Sequence, residues 1–292
     1  YFMRSGYNVV YTETYTNEWL LNVENDIVIL GASKEGVAVF KKLTKQLPNQ
    51  KIVVISERLS VNMKEPIPFI QNKVLFTTYN HGMIGIIMEG DQGIPRTFCH
   101  KLIIASGQEP RRVFPKLGPN IQNLYYDTKE IPDNAKENQA IVVGNSPRAA
   151  KMALELKSKF KYVYLCTSDF DPTYHYQTTR KIDAAKNIAV LPGCQVVSWE
   201  GSKGQLQKVT LSTYATITCC GLYVDAGFTA DLSAFPNARY RLFAVNDDGY
   251  IITDEDCRTI VPNVFAVGTV SIKYNLDKEK ALVETLKKEY RK

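Results

Sequence analysis

Asp26-Ile-Val-Ile-Leu-Gly-Ala-Ser-Lys-Glu-Gly36 is the stretch on which the fold turns. The apolar run Ile27–Leu30 is too short for a helix and is closed by Gly31, which reads as a strand buried on both faces of a parallel sheet. Helical periodicity follows, with Val37, Phe40 and Leu43 on one face and Lys41, Lys42 and Lys45 on the other. Pro48-Asn49 breaks that helix, and Lys51-Ile-Val-Val-Ile-Ser56 reads as a second buried strand. Strand, helix and strand together make a βαβ unit of about thirty residues, the size this motif needs.

The turn inside the unit, Gly31-Ala-Ser-Lys-Glu-Gly36, is a G-x-S-x-x-G form of the dinucleotide fingerprint. The first glycine permits the tight turn, the middle position must be small so that a pyrophosphate can approach, and the third lets helix and strand pack closely. A pyrophosphate here would sit against the helix N-terminus, where amide groups and the helix dipole favour negative charge. Ser33 is small enough to be tolerated. Glu57, at the end of the second strand, stands where an acid would bind ribose hydroxyls. The turn is not a hydrolase nucleophile elbow, because G-x-S-x-G needs its second glycine one residue earlier.

The same pattern recurs. Ala140-Ile-Val-Val143 is a strand, Gly144 turns it, Pro147 to Lys157 is a helix capped by Ser146, and Lys161-Tyr-Val-Tyr-Leu-Cys166 is the next strand. The repeat predicts an α/β chain with two Rossmann-type domains. Between the repeats, Lys73 to Met88 and Phe98 to Ala105 read as strands of a small sheet, and strands recur at Gln207 to Ser212 and Gly221 to Ala226. Asn246-Asp-Asp-Gly249 is a strong turn leading into Tyr250-Ile-Ile-Thr253. Lys278 to Lys292 carries an amphipathic stripe, Leu282, Val283 and Leu286, and reads as a helix docking on the core. The segment Tyr1 to Glu24 is polar and aromatic with no charged-then-apolar leader; its alternation around Val9, Tyr11 and Tyr15 reads as a short strand or an arm, with no function assigned.

Bulk properties narrow the function classes. The 292 residues, 45% hydrophobic and 23% charged, suit a globular chain of about two domains. The net charge of +6 is spread among interspersed lysines and acids, which argues against a nucleic-acid partner. No apolar stretch is long enough to span a bilayer. The six cysteines, Cys99, Cys166, Cys194, Cys219, Cys220 and Cys257, include no C-x-x-C pair, and the three histidines are far apart in sequence. This fits a reducing compartment, cytoplasm or organelle matrix, and speaks against a disulfide scaffold or a metal site. The adjacent Cys219-Cys220 falls at a strand edge and reads as a pair of buried structural thiols.

Three separated motifs, in order, resemble the two-dinucleotide-domain flavoprotein reductases, the superfamily of thioredoxin reductase, NAD(P)H:ferredoxin reductase and CoA-disulfide reductase. Asp26 to Glu57 resembles their FAD-binding start. Leu102-Ile-Ile-Ala-Ser-Gly-Gln-Glu-Pro-Arg111 is similar to the A-T-G-x-x-P-R motif that closes their first nucleotide domain, and Gly249 to Gly268 is similar to their closing segment. The resemblance covers roughly Asp26 to Ser271. It implies an NAD(P)-type domain, residues 121–244, inserted into a discontinuous FAD-type domain, residues 25–120 and 245–292, behind an arm of residues 1–24. It implies FAD contacts at Gly31, Ser33, Gly36, Glu57, Gly107 and Thr269, and nicotinamide-cofactor contacts at Gly144, Ser146, Ala149 and Gly227.

The departures are as specific as the matches. An aspartate follows the closing glycine in the family, and Thr269 replaces it here. The interval from Glu57 to Ala105 is shorter than usual, so the adenine-and-pyrophosphate half of a flavin site is better kept than the redox half. Where NADPH-preferring members carry a His-Arg-Arg run, this chain has Thr167-Ser-Asp169, with no cation and an acid that would repel a 2′-phosphate, so NADH is favoured over NADPH. The stretch Asn123 to Lys129, where thioredoxin reductases hold their redox C-x-x-C, has no cysteine. Nor does one lie between Glu57 and Cys99, where CoA-disulfide reductases place theirs. The resemblance therefore implies an oxidoreductase passing hydride from NADH through FAD to an acceptor, protein or small molecule. The alternative is a degenerate pseudoenzyme of the same fold, a structural or regulatory subunit with weak or no cofactor binding. No side chain stands out as acid, base or redox thiol. A homodimer and a place in a larger complex are both left open.

Overall fold

A computed structural model describes residues 8–9, 23–59, 67–91, 97–113, 122–170, 174–235, 242–271 and 276–291. The chain divides into two compact units, residues 1–109 with 229–292, and residues 110–228. The chain therefore crosses from one unit to the other at 109/110 and returns at 228/229.

The first unit opens with a two-residue strand β1 (Asn8–Val9), followed by β2 (Val23–Ala32), α1 (Lys34–Gln46), β3 (Ile52–Leu59), β4 (Phe69–Gln71), β5 (Val74–Asn80), β6 (Met83–Met88) and β7 (Thr97–Ile104), and the chain leaves it along β8 (Gln108–Pro110). Tyr11 and Tyr15 of the expected arm lie outside the described residues. Strand β2 is central and pairs in parallel with β3 on one side and β7 on the other. Its residues alternate between two cores: Val28 and Leu30 join one cluster, Ile27 and Ile29 the other, and all four are shut off from solvent. That is why the run reads as continuously apolar rather than alternating. Helix α1 buries Val37, Val39, Phe40 and Leu43, and its other face carries Lys41 and Lys45.

The stretch expected as strands between Lys73 and Met88 is a hairpin. His81 and Gly82 both take positive φ, 48° and 84°, the backbone that a two-residue turn needs to match strand twist. Strand β7 then does two jobs along its length. Thr97 to Cys99 pair antiparallel with β6, while Leu102 to Ile104 pair in parallel with β18 (Val264–Ala266), which arrives much later in the chain.

The second unit carries β9 (Leu124–Tyr125), β10 (Gln139–Val143), α2 (Pro147–Leu156), β11 (Tyr162–Cys166), α3 (Tyr176–Asp183), β12 (Ile188–Leu191), β13 (Val196–Ser202), β14 (Gln205–Leu211), β15 (Thr216–Thr218) and β16 (Gly221–Val224). Its main sheet is wholly parallel, in the order β12-β11-β10-β16-β9, and β13-β14-β15 form a small antiparallel sheet. Pro147 and the Ser146 cap start α2 as its sequence predicts. Helix α3 carries no readable stripe, since among its residues only Ile182 is buried, and sequence periodicity does not reveal it.

The chain returns along β17 (Phe228–Ala230) to the first unit for β18 and the closing helix α4 (Leu276–Tyr290). Gly249 makes the expected turn at φ 86°, but Tyr250 to Thr253 do not extend into a strand. Ile251 forms only single bridges to Val245 and Ser271. On α4, Leu282, Val283 and Leu286 pack with Ile27, Ile29, Leu43 and Phe265. Among the described residues no helix is long and apolar enough to cross a membrane.

Helix α4 is tied down by a charged cluster. Glu289 accepts hydrogen bonds from Lys101 Nζ at 2.5 Å and from Arg258 Nη2 at 3.1 Å. Partial burial pushes its carboxyl up, but the hydrogen bonds and positive charge of Lys101 and Arg258 outweigh this and hold it below the ordinary glutamate range. A folded-state value below the unfolded one stabilises at pH above the unfolded value, about 4.3, and that contribution is lost as pH falls through the folded value. Acid titration of stability between pH 5 and 3, a span of about two units around that value, is expected to be shallower in Glu289→Gln than in the parent, read by urea unfolding at each pH. Equal slopes would show that the pair contributes nothing.

Candidate functional site

Each unit places a glycine-led turn at the C-terminal edge of its parallel strands, and the two turns differ in what fills them. In the first unit, Gly31 has φ 107°, and a Cβ there would lie 2.5 Å from the Ala105 carbonyl carbon and the Ser106 Cα. Gly36 leaves no more room, since a Cβ would overlap the Gly31 carbonyl oxygen and come within 3.2 Å of the Ala105 Cβ. The two glycines therefore let α1, β2 and the end of β7 approach each other. Ser33 caps α1: its hydroxyl accepts from the Gly36 N–H at 3.1 Å and donates to the Ala105 carbonyl at 2.9 Å.

Gly107, φ 86°, stands beside the same cap. A Cβ on it would meet Ser33 Cβ at 3.7 Å and Thr269 Oγ1 at 3.8 Å, ordinary contact distances. Gly31, Ser33, Gly36, Gly107 and Thr269 thus converge at the start of α1, although they come from three separate segments of sequence. Glu57 lies on the neighbouring strand. Leu30 pairs with Ile55 and Ala32 with Leu59, so three residues of β3, Glu57 in the middle, bulge opposite Gly31. Glu57 is exposed there, and its backbone carbonyl accepts from Gln71.

In the second unit Gly144, φ 152°, leaves no space for a side chain: a Cβ would be 2.7 Å from the Asp225 carbonyl oxygen and 2.9 Å from the Ala149 Cβ. Ser146 caps α2 by accepting from the N–H groups of Arg148 and Ala149, at 3.0 and 3.2 Å. Gly227, φ 79°, has open space where a Cβ would stand, and its carbonyl accepts from the Arg111 N–H at 2.9 Å. Gly144, Ser146 and Gly227 border one cavity of about 550 Å³, together with Asn145, Cys194 and Asp225. Ala149 is buried behind the cap. Beyond the end of β11, the Asp169 carboxylate accepts from Asn145 Nδ2 at 2.8 Å, so an acid stands beside the turn with no cation bonded to it among the described contacts.

Two residues in this site carry no motif signal. Asp225 follows the apolar strand β16, and its side chain is almost wholly buried, paired with Arg148 Nη1 at 2.7 Å. Arg148 also donates to the Tyr126 carbonyl and lies over the Phe228 ring. An acid directly after a buried strand and an arginine in the first turn of α2 were the available hints, but only the fold brings them together.

All six cysteines are buried and unpaired. Burial pushes the Cys166 and Cys219 thiols up to about 12 and those of Cys220 and Cys257 up to about 11, and it raises Cys99 as well.

The model of one protein family, the pyridine nucleotide-disulphide oxidoreductases, matches residues 89–286. The chain belongs to that family. Its members bind FAD and NAD(P)H, and the chain is accordingly a flavoprotein-type oxidoreductase by descent. Solved structures of the same fold include thioredoxin reductase from T. acidophilum (15% identical, TM-score 0.71, covering 92% of this chain and 99% of that one). Thioredoxin reductase from Lactococcus lactis is 15% identical with a TM-score of 0.68, covering 91% of this chain and 98% of its own. A bacillithiol disulfide reductase from Bacillus cereus is 13% identical with a TM-score of 0.70, covering 91% and 100%. A comparison with curated proteins finds no match. Within the pyridine nucleotide-disulphide oxidoreductases, this chain combines the two-unit fold with cysteines that are all buried.

Proposed function

We propose that the chain is an FAD-dependent oxidoreductase that takes hydride from NADH and passes it to an acceptor other than a disulfide exchanging with its own thiols. One observation carries the reading: both units present a glycine-led turn and a serine-capped helix start at the C-terminal edge of parallel strands, with Ser33, Gly107 and Thr269 meeting in the first. The crowding at Gly31 and Gly36, where a side chain would strike backbone, and the meeting of Ser33, Gly107 and Thr269 at the start of α1 support the pyrophosphate half of an FAD site there. Gly31, Ser33, Gly36 and Gly107 would hold the diphosphate, Glu57 would accept from ribose hydroxyls, and the Thr269 hydroxyl would hydrogen-bond the chain leading to the ring. FAD, when bound, supplies the hydride-accepting and hydride-donating chemistry.

Gly144, Ser146, Ala149 and Gly227 would hold NADH in the second unit. Asp169 beside that turn supports NADH over NADPH, because a 2′-phosphate there would meet a carboxylate. The acceptor is a redox protein or a small molecule.

The test is the visible absorbance of the purified protein before and after FAD addition, followed by anaerobic NADH and, separately, NADPH. A flavin band that NADH bleaches at lower concentration than NADPH is the expected result. A protein that stays colourless with FAD overturns the reading, and equal bleaching by both nucleotides overturns the assignment of Asp169.

A further inference from the structure

The anion seat at the start of α2 already holds an anion. Asp225 Oδ1 accepts from Arg148 Nη1 at 2.7 Å and from the Gly227 N–H at 3.3 Å, and Oδ2 accepts from the Ser146 hydroxyl. Ser146 in turn takes the N–H groups of Arg148 and Ala149, the first free amides of the helix. Arg148 spends its other nitrogen on the Tyr126 carbonyl and has its face against Phe228, so its guanidinium is held in place. Asn145 is likewise engaged, with Ser168 and Asp169. The cap, the arginine and the Gly227 amide, the groups that would greet a pyrophosphate, are all turned towards one buried carboxylate on the cavity wall.

We propose that Asp225 is a built-in competitor for the pyrophosphate of NADH, holding Arg148 until a dinucleotide takes its place. The inference rests on the reading that the second unit binds NADH. Two anions cannot share one cationic seat without strong repulsion. Binding is therefore an exchange: the phosphate gains Arg148 and the helix start, and Asp225 gives them up. The affinity measured is lowered by the work of that exchange. Neutralising Asp225 should thus tighten binding. A carboxylate that merely braces the site predicts the opposite, since breaking a buried pair loosens its surroundings.

NADH and ADP-ribose are titrated into the whole protein by calorimetry, with thermal unfolding of each variant recorded. Asp225→Asn, which keeps the shape and drops the charge, is expected to bind both at least tenfold more tightly than the parent. Arg148→Gln, which leaves the carboxylate in the seat without its counter-charge, is expected to bind more weakly. Asp225→Ala provides the same charge removal should the asparagine fail to fold. Unchanged or weaker binding by a folded Asp225 variant overturns the proposal, as does the absence of binding in parent and variants alike. Flavin content, read in the same samples, separates the two claims. A colourless protein whose Asp225 variants bind ADP-ribose more tightly refutes the flavoenzyme and keeps the competitor. A flavin bleached by NADH with no change in Asp225→Asn does the reverse.

Discussion

Gly31→Ala is expected to lose flavin binding and to lower the stability of the first unit by about 4 kcal/mol, the sum of two costs. An alanine forced to φ 107° pays of order 1–3 kcal/mol in backbone strain, and overpacking adds about 1–3 kcal/mol. The neighbours cannot yield cheaply, because the atoms a Cβ would strike are backbone of Ala105 and Ser106 at the end of β7. Moving them would disturb the pairing of Leu102 to Ile104 with both β2 and β18. Against a typical total of about 5–15 kcal/mol, this is a large fraction. Urea unfolding followed by circular dichroism measures the stability, and absorbance near the flavin band measures the cofactor. A variant with parental stability and flavin would show that the turn is neither as tight nor as placed as described. Ala substituted at Gly82, where nothing lies within 4 Å, is the control for positive φ without crowding.

The second large effect concerns thiol chemistry. Five cysteines, Cys99, Cys166, Cys219, Cys220 and Cys257, are raised by burial, so the thiolate that reacts is scarce at neutral pH. Relative to an unperturbed thiol of pKa about 8.5, their reaction with a disulfide reagent at pH 8 should be slower by about a hundredfold or more in the native protein. All six should react at once in denaturant. Cys194 borders the cavity and is the one expected to react first. Ellman's reagent, with the labelled peptides identified by mass spectrometry, reads this directly. Rapid native labelling of Cys219 and Cys220 would instead mark an accessible vicinal pair and reopen disulfide chemistry as this chain's own reaction.

Most of the fold was legible because its deciding elements are buried on both faces. The runs at Ile27, Ile52 and Ala140 show continuous apolar character, and Gly31 and Gly144, which close the first and the third, take the positive φ that a tight turn demands. The weak points were elements stabilised by few buried side chains, such as α3, or ended by a single bridge, as at Ile251. The first site was readable for the same reason as the fold, since backbone clearance forces glycine at Gly31 and Gly36. Asp225 and Arg148 were not, because a long-range ion pair leaves no spacing or periodicity behind: the two residues lie 77 positions apart in the chain.

The two-sided use of β7 has a consequence for the order in which the molecule can be made. Its partner β18 is synthesised only after the whole of the second unit, residues 110–228, which is continuous in sequence. The nascent second unit can therefore complete its sheet on the ribosome, while Leu102 to Ile104 wait with an unpaired edge. Pairings between such distant segments form slowly, and an open apolar edge is a template for the wrong strand. During synthesis, the half-built first sheet is where this chain is most exposed to misassembly and to capture by chaperones.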